Sequence, residues 1–479
     1  MRKILFCCFI LPLLVQAQQV QWASKVLKYS SDLGGKLNSI KRILGKPDAF
    51  PQGGPSANAW VAKDAQGTAY VEVEFEQAQT VKQIAVFENL NAGCVSRIMV
   101  GNAAGKFRTV SKKTGGFTRW INSLQKQGNP DRAYYFNKKR RKIEVAPNVE
   151  NNADIEYFFL EQPEQDVKMV RVEFNFALKP GQKQVDAIAI SDLENPIQPP
   201  LNLIRDAEKL SDPVTFIKAP NQDYALNSLF ILGNDFYYTI SVEDSAGEVH
   251  VLNLIQPTAI KDVTKHIKND DKLNFILGYV PETKTVLMGS ENKYRQGSDI
   301  LGFDFFSLND GDFTYQKPLK ITAYNNYGDY ADAFLTRDGK HLIFGIESDL
   351  TQGGYDLYFT QPKDENTFSL LQNMSKGLNS AADETNPFML SDDKTLLFAS
   401  NGYSGYGDFD LYVSTRLDDT WKNWSKPKNL GPKVNGQSFD TNPYYDEQTE
   451  MLYYVSFRDG LSTIQKIKIP IAQLTGTAQ

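Results

Sequence analysis

The sequence predicts an all-β protein in two units, a β-sandwich followed by a ring of small sheets. Three observations carry that expectation. In the first two hundred residues, short runs such as Ala69-Tyr70-Val71-Glu72-Val73-Glu74-Phe75 alternate apolar and polar side chains, the period of a half-buried strand. Aromatic residues make up 12% of the chain, with 23 Tyr and 29 Phe, and these types are enriched in strands. Beyond residue 200 one pattern returns at a spacing of about 54 residues, as it does in rings and solenoids built from copies of one unit.

Met1 to Ala17 reads as an export signal. Arg2 and Lys3 precede a twelve-residue apolar run from Ile4 to Val15, and Val15-Gln16-Ala17 supplies small residues ahead of a cut before Gln18. The run is shorter than the ~20 residues of a spanning helix, and no later run is longer, so no transmembrane span is expected. Cys7 and Cys8 would leave with this segment, so Cys94 alone remains and no intrachain disulfide can form. Hydrophobic residues at 41% and charged residues at 23% are the composition of a globular chain. A net charge of −5 lacks the basic footprint of a nucleic-acid partner.

Residues 18–197 form the first unit. Its strands are expected at Ala69–Phe75, Val81–Phe87, Val95–Val100, Val167–Phe176 and Asp186–Ile190, the short alternating segments of a sandwich. The polar stretch at about 111–160 reads as an insertion. It carries Lys138-Lys139-Arg140-Arg141-Lys142, which is either a solvated loop or a contact for an acidic partner or lipid headgroups.

The second unit, 198–479, is the repeat. Phe334 to Phe388, Phe344 to Phe398 and Asp356 to Asp410 are each 54 residues apart, and Thr385-Asn386-Pro387 returns as Thr441-Asn442-Pro443. Weaker copies run from Leu229 and from Phe275. Arg337-Asp338-Gly339-Lys340 and Ser391-Asp392-Asp393-Lys394 fit tight hairpin turns. One such sheet cannot bury both faces alone, whereas a ring can, so five blades are expected. The last copy has no room for its outer strand, and Val214–Lys218 has no inner partners, so this segment is expected to complete the last blade. A sixth blade would need strands within Asn202–Ser211, which reads as polar and helical.

Ser391–Ser400 and Gly405–Tyr412 resemble the periplasmic propeller repeats of the TolB and WD-like kind, in the variety found in Bacteroidota envelope proteins. The order of the first unit, with Trp60 ahead of its first strand and Val185-Asp186-Ala187-Ile188 at its end, resembles the discoidin, or galactose-binding-like, fold. That family's members bind carbohydrate or protein through loops at one end, and some hold a structural calcium. The envelope proteins often carry an OmpA-like domain; the sequence stops at Gln479 after the repeats, so peptidoglycan anchoring is not expected. The resemblance implies an exported protein of the periplasm or cell surface, associated with the outer membrane. Its partners would be proteins of a multi-subunit assembly for secretion, gliding or outer-membrane assembly and transport.

Catalytic signatures are sparse. The three histidines fall in separate repeats or connections with no zinc-ligand spacing, and neither a Gly-x-Ser-x-Gly elbow nor a phosphate loop occurs. Asp356 and Asp410 recur at equivalent places, which fits a repeated bond to backbone N–H groups better than one catalytic pair; Glu384 and Asp440, ahead of the two Thr-Asn-Pro copies, fit a similar role. Tyr403 and Tyr406, in a loop, are the candidate partner-binding residues, with the basic run 138–142. No enzymatic activity, metal site or cofactor is expected from these residues. The reading is a protein-binding scaffold. Two other classes remain, a glycan-capturing protein and a propeller glycosidase or lyase with paired carboxylates at its channel.

Overall fold

The computed structural model describes residues 20–476 apart from 35–37, 48–49, 51–55, 57–58, 65, 113–133, 138–141, 146–152, 180, 199–200, 243–246, 258, 268–273, 293–299, 329–330, 352, 366 and 381. The export segment, most of the basic run and much of the expected insertion lie outside the described residues. Among the described residues no helix is long and apolar enough to cross a membrane.

The first unit is built on a hydrogen-bonded sheet of seven strands, with a separate hairpin of Tyr134–Asn137 and Lys142–Val145. Two strands dominate it, Thr68–Glu88 and Asp154–Asn175, and they pair antiparallel along their whole length. The sequence predicts two strands in place of the first, Ala69–Phe75 and Val81–Phe87. Instead one strand runs through residues 76–80, its ladder skipping 75–78 and its register shifting between Glu74 and Gln83. Such irregularities bend a sheet, and beyond the bend the two faces of the first long strand serve different cores. Ile84 and Val86 join Val71, Val73, Val170, Val172 and Trp60 in one, while Ala85, Phe87, Ile155, Ala187 and Ala189 pack with Phe50 and Ile197 in the other. The second strand reaches back to Asp154 because Ile155 is fully buried against Phe87. The insertion read as ending near 160 therefore ends before that strand.

The second unit is a five-bladed propeller. Four blades are four-stranded meanders in chain order, over Tyr224–Asp262, Phe275–Pro318, Asp332–Asn373 and Glu384–Asn429. The fifth combines Asp440–Asp446, Met451–Arg458 and Leu461–Lys468 with Val214–Lys218, which pairs antiparallel with the last of these. The ring closes as expected, with an early strand sealing the final blade. Asn202–Ser211 supplies no sixth blade; its main regular feature is a 3-10 turn at Ala207–Lys209. The expected hairpins also form. Leu335 pairs with Leu342 and Met389 with Leu396, with Gly339 (φ 71°) and Asp393 (φ 53°) taking the left-handed positions.

The connection between the units is held at both ends. Gln83, fully buried, donates to the carbonyls of Leu193 (2.8 Å) and Asn195 (2.6 Å) and accepts from the Ile197 N–H. The Tyr157 hydroxyl donates to the Ile197 carbonyl at 2.7 Å. Beyond it, Leu203 bridges in parallel to Asn429 at the outer edge of blade 4, and Ile204, Ala207 and Leu210 join the core of blades 4 and 5.

Candidate functional site

In each antiparallel blade the start of the innermost strand, the end of the second and the start of the third come to one face, as Glu384, Ser400 and Asp410 do in blade 4. That face and the channel behind it are where the repeat concentrates polar groups.

Five aromatic side chains, one from each innermost strand, line the channel. Phe230 contacts Tyr279 (6.2 Å between ring centres) and Tyr444 (5.8 Å), and Phe388 contacts Phe334 and Tyr444, each at 5.0 Å. A ring on a blade's inner edge can touch both neighbouring blades only by pointing towards the axis. The Tyr444 hydroxyl donates to the Ile231 carbonyl at 3.2 Å, fastening the last blade to the first. The landmark pair Phe334 and Phe388 was visible in the sequence; Phe230 and Tyr279 were not read as their equivalents, because weaker repeats blur the register.

A polar tier lies above these rings. Ser228, Asn386 and Asn442 have φ near +50° at bulges in their innermost strands. Asn tolerates this backbone better than most residues. Ser228 Oγ donates to the Ile276 carbonyl of the next blade at 2.7 Å. Asn386 donates its N–H and its side-chain amide to Asp332 Oδ2 of the preceding blade, at 2.7 and 3.0 Å.

The repeated aspartates sit two strands further out, each opening the third strand of its blade. Asp410 accepts the N–H groups of Tyr406 (2.6 Å) and Gly407 (2.9 Å) and the Asn429 amide (2.7 Å). Asn435 bonds Asn429 Oδ1 and both backbone groups of Leu411. Blade 3 repeats the arrangement with Asp356, Asn373, Asn379 and Leu357. The asparagines were missed in the sequence because Asn373 and Asn429 end two-residue outer strands and Asn379 and Asn435 lie in the irregular connections after them, although both pairs are six residues apart. Glu384 accepts the Ser380 N–H and the Ser400 hydroxyl, each at 2.7 Å, and Asp440 accepts the Gly436 N–H at 2.6 Å. Burial, helped by Asp356, pushes the Glu384 carboxyl up to about 8. Burial likewise lifts Asp410 to about 7 and Asp440 to about 6. Asp408 rises to about 6 through burial and the nearby Asp383. Among the described residues no group of three or more His, Cys, Asp or Glu is placed to hold a metal ion.

Tyr403 and Tyr406 lie at the seam between the units. The Tyr403 hydroxyl donates to the Leu378 carbonyl at 2.7 Å, and its ring packs on Tyr412. Tyr406 is half-buried, and burial together with Glu208 and Asp410 raises its hydroxyl above the ordinary range. Between them, Ser404 Oγ donates to the Pro47 carbonyl of the first unit at 2.6 Å. Lys138, Lys139, Arg140 and Arg141 lie outside the described residues, and Lys142 opens a short strand, Lys142–Val145.

No family model and no curated protein matches the chain. Solved structures of similar architecture include TolB from Acinetobacter baumannii, 14% identical with a TM-score of 0.33 over 51% of this chain and 54% of that one. The chain thus spans about half the length of that TolB structure. The family 32 carbohydrate-binding module of Streptococcus pneumoniae EndoD is 10% identical, with a TM-score of 0.23 over 36% of this chain and 97% of that one. The catalytic domain of a Coprinopsis cinerea GH62 α-L-arabinofuranosidase is 9% identical, with a TM-score of 0.39 over 56% of this chain and 98% of that one. A xylan β-1,4-xylosidase and an exo-β-1,3-galactanase also appear among the similar structures. The expectation of no enzymatic activity is corrected by this finding: glycoside hydrolases are prominent among the similar structures, so the exclusion is withdrawn. One fold hosts many functions, and at these scores no substrate or residue role passes to this chain.

Proposed function

We propose that this protein is an exported scaffold that presents its first unit and its propeller as one docking body within an outer-membrane-associated assembly. The observation that carries this reading is the clamped connection. Gln83 and Tyr157 hold 193–197 on the first unit, Asn429 and the core of blades 4 and 5 hold 202–210, and Ser404 meets Pro47. Domains of one chain move relative to each other unless something restrains them. A connection secured at both ends sets a constant spacing between two loop-bearing surfaces, as a scaffold requires, and loops on a rigid frame are where binding residues collect.

The test is a gentle-detergent pull-down of the tagged protein from its native envelope, read by mass spectrometry. Stoichiometric recovery of an outer-membrane barrel or a secretion component is the expected result. Recovery of the protein alone from intact envelopes would overturn the scaffold reading.

A further inference from the structure

The seam at Ser404 has a repeat-equivalent that stays exposed among the described residues. Counting back 54 residues from Ser404 gives Leu350, in the loop between the second and third strands of blade 3. Where Ser404 is seated on Pro47, Leu350 is 64% exposed, and beside it Tyr327 is 63% exposed. The two are neighbours through the backbone. The Tyr327 N–H donates to the Glu347 carbonyl at 2.8 Å, and the Tyr327 hydroxyl donates to Asp349, which also receives the Asn325 amide. A tyrosine pinned at its hydroxyl loses little freedom on binding, which is what makes an exposed aromatic an effective anchor.

The ground around this pair is acidic. Glu347 and Asp349 flank it. Tyr355, whose ring leaves no space for a side chain at Gly328, donates its backbone N–H to Asp383 Oδ1 at 2.9 Å.

We infer that the exposed Tyr327–Leu350 pair, with Asp349 and Asp383 beside it, docks a basic segment of a partner protein. An apolar side chain of that segment seats on Tyr327 and Leu350, and its Lys or Arg groups face the carboxylates. Charge complementarity selects the partner, and the blade-4 loop at the same repeat position, already occupied by the first unit, supplies the precedent. This deepens the scaffold reading by naming the chemistry of one partner.

The probes are three fluorescein-labelled nonapeptides, mixed with the full chain and read by anisotropy. One carries Lys and Arg around a central Leu, one has Glu in place of each Lys and Arg, and one has Gly in place of the Leu. The first should bind, with the other two at least about tenfold weaker, and raised salt should weaken it further. Tyr327→Ala and Leu350→Ser should each cost about tenfold, the range of an interface anchor. Leu417→Ser, at an exposed residue beyond the opposite end of a blade-4 strand, should change nothing. Equal binding of the basic and acidic peptides, or no loss in a folded Tyr327→Ala/Leu350→Ser variant of unchanged Tm, overturns the inference. Xylohexaose or cellohexaose binding that Tyr327→Ala abolishes, without peptide binding, overturns it in favour of a sugar site. Peptide binding alongside a pull-down that recovers nothing would defeat the scaffold reading and leave the docking site standing.

Discussion

Asn429 and Asn435 show how much of the propeller's order rests on single amides. Each is buried and bonded at both ends of its side chain. Asn435→Ala would strand the Leu411 N–H away from water, while the Leu411 carbonyl keeps the Leu430 N–H and Asn429 Oδ1 keeps the Gly431 N–H. Stranded buried polar groups cost about 1–3 kcal/mol each, so the urea midpoint should fall clearly, and Asn379→Ala in blade 3 should lose a similar amount. The buried carboxylates make a second prediction. Glu384 titrates at about 8 in the folded chain against roughly 4.3 when unfolded. Its folded form therefore holds a proton that its unfolded form has released, across the window between those values. Stability contributed by this group is present below pH ~4, falls as pH rises, and is fully lost above about pH 8. Comparing urea midpoints at pH 5.5 and 8 should show a smaller drop in Glu384→Gln than in the parent chain, since the amide cannot ionise. An unchanged drop would mean that Glu384 is not the group being titrated.

At the level of loops and strands, the Gly-rich connection of blade 4 has a steric reason for its composition. A Cβ at Gly407 would meet the carbonyl oxygens of Ser438 and Gly436, which are backbone atoms of the next connection and cannot swing aside as a side chain would. Gly407→Ala should therefore lower Tm by more than Gly377→Ala, where a Cβ would make only ordinary van der Waals contacts, and should loosen the Tyr406–Gly407 bonds to Asp410. Amide hydrogen exchange at 405–411 would read this directly. The merged strand Thr68–Glu88 carries a related lesson. Glu76-Gln77-Ala78 breaks the apolar alternation and looks like a turn, but Gln21, from the strand Val20–Trp22 two places away in the sheet, bonds the Gln77 backbone and the Gln79 side chain. The polar interruption is a bend in one strand rather than the end of it.

For the molecule as a whole, closure of the ring and restraint of the connection are the two assembly devices. Ile217 is buried in the core shared by blades 1 and 5. Ile217→Ala should cost about 2–4 kcal/mol by leaving a cavity, and because the strand seals the ring, the loss should appear in the unfolding of the whole propeller. Gln83→Ala removes the three bonds holding 193–197. It should reduce amide protection there and broaden the distance distribution between the units in small-angle scattering, with little change in far-UV circular dichroism.

The all-β class, the five blades and the closing strand were legible in the sequence, because a ring of similar sheets repeats its landmarks and a split blade leaves one segment short and another unpaired. The aspartates at 356 and 410 were legible for the same reason. The aromatic ring needed the tertiary structure, since Phe230, Tyr279, Phe334, Phe388 and Tyr444 meet only once five distant strands converge on one axis. So did the place of Tyr403 and Tyr406. A loop tyrosine looks the same in sequence whether it faces solvent or a neighbouring unit, and here the fold seats that loop on Pro47 while leaving its blade-3 counterpart open. Local pattern specifies what each strand and turn can form; which surfaces are left over is decided only when the pieces pack.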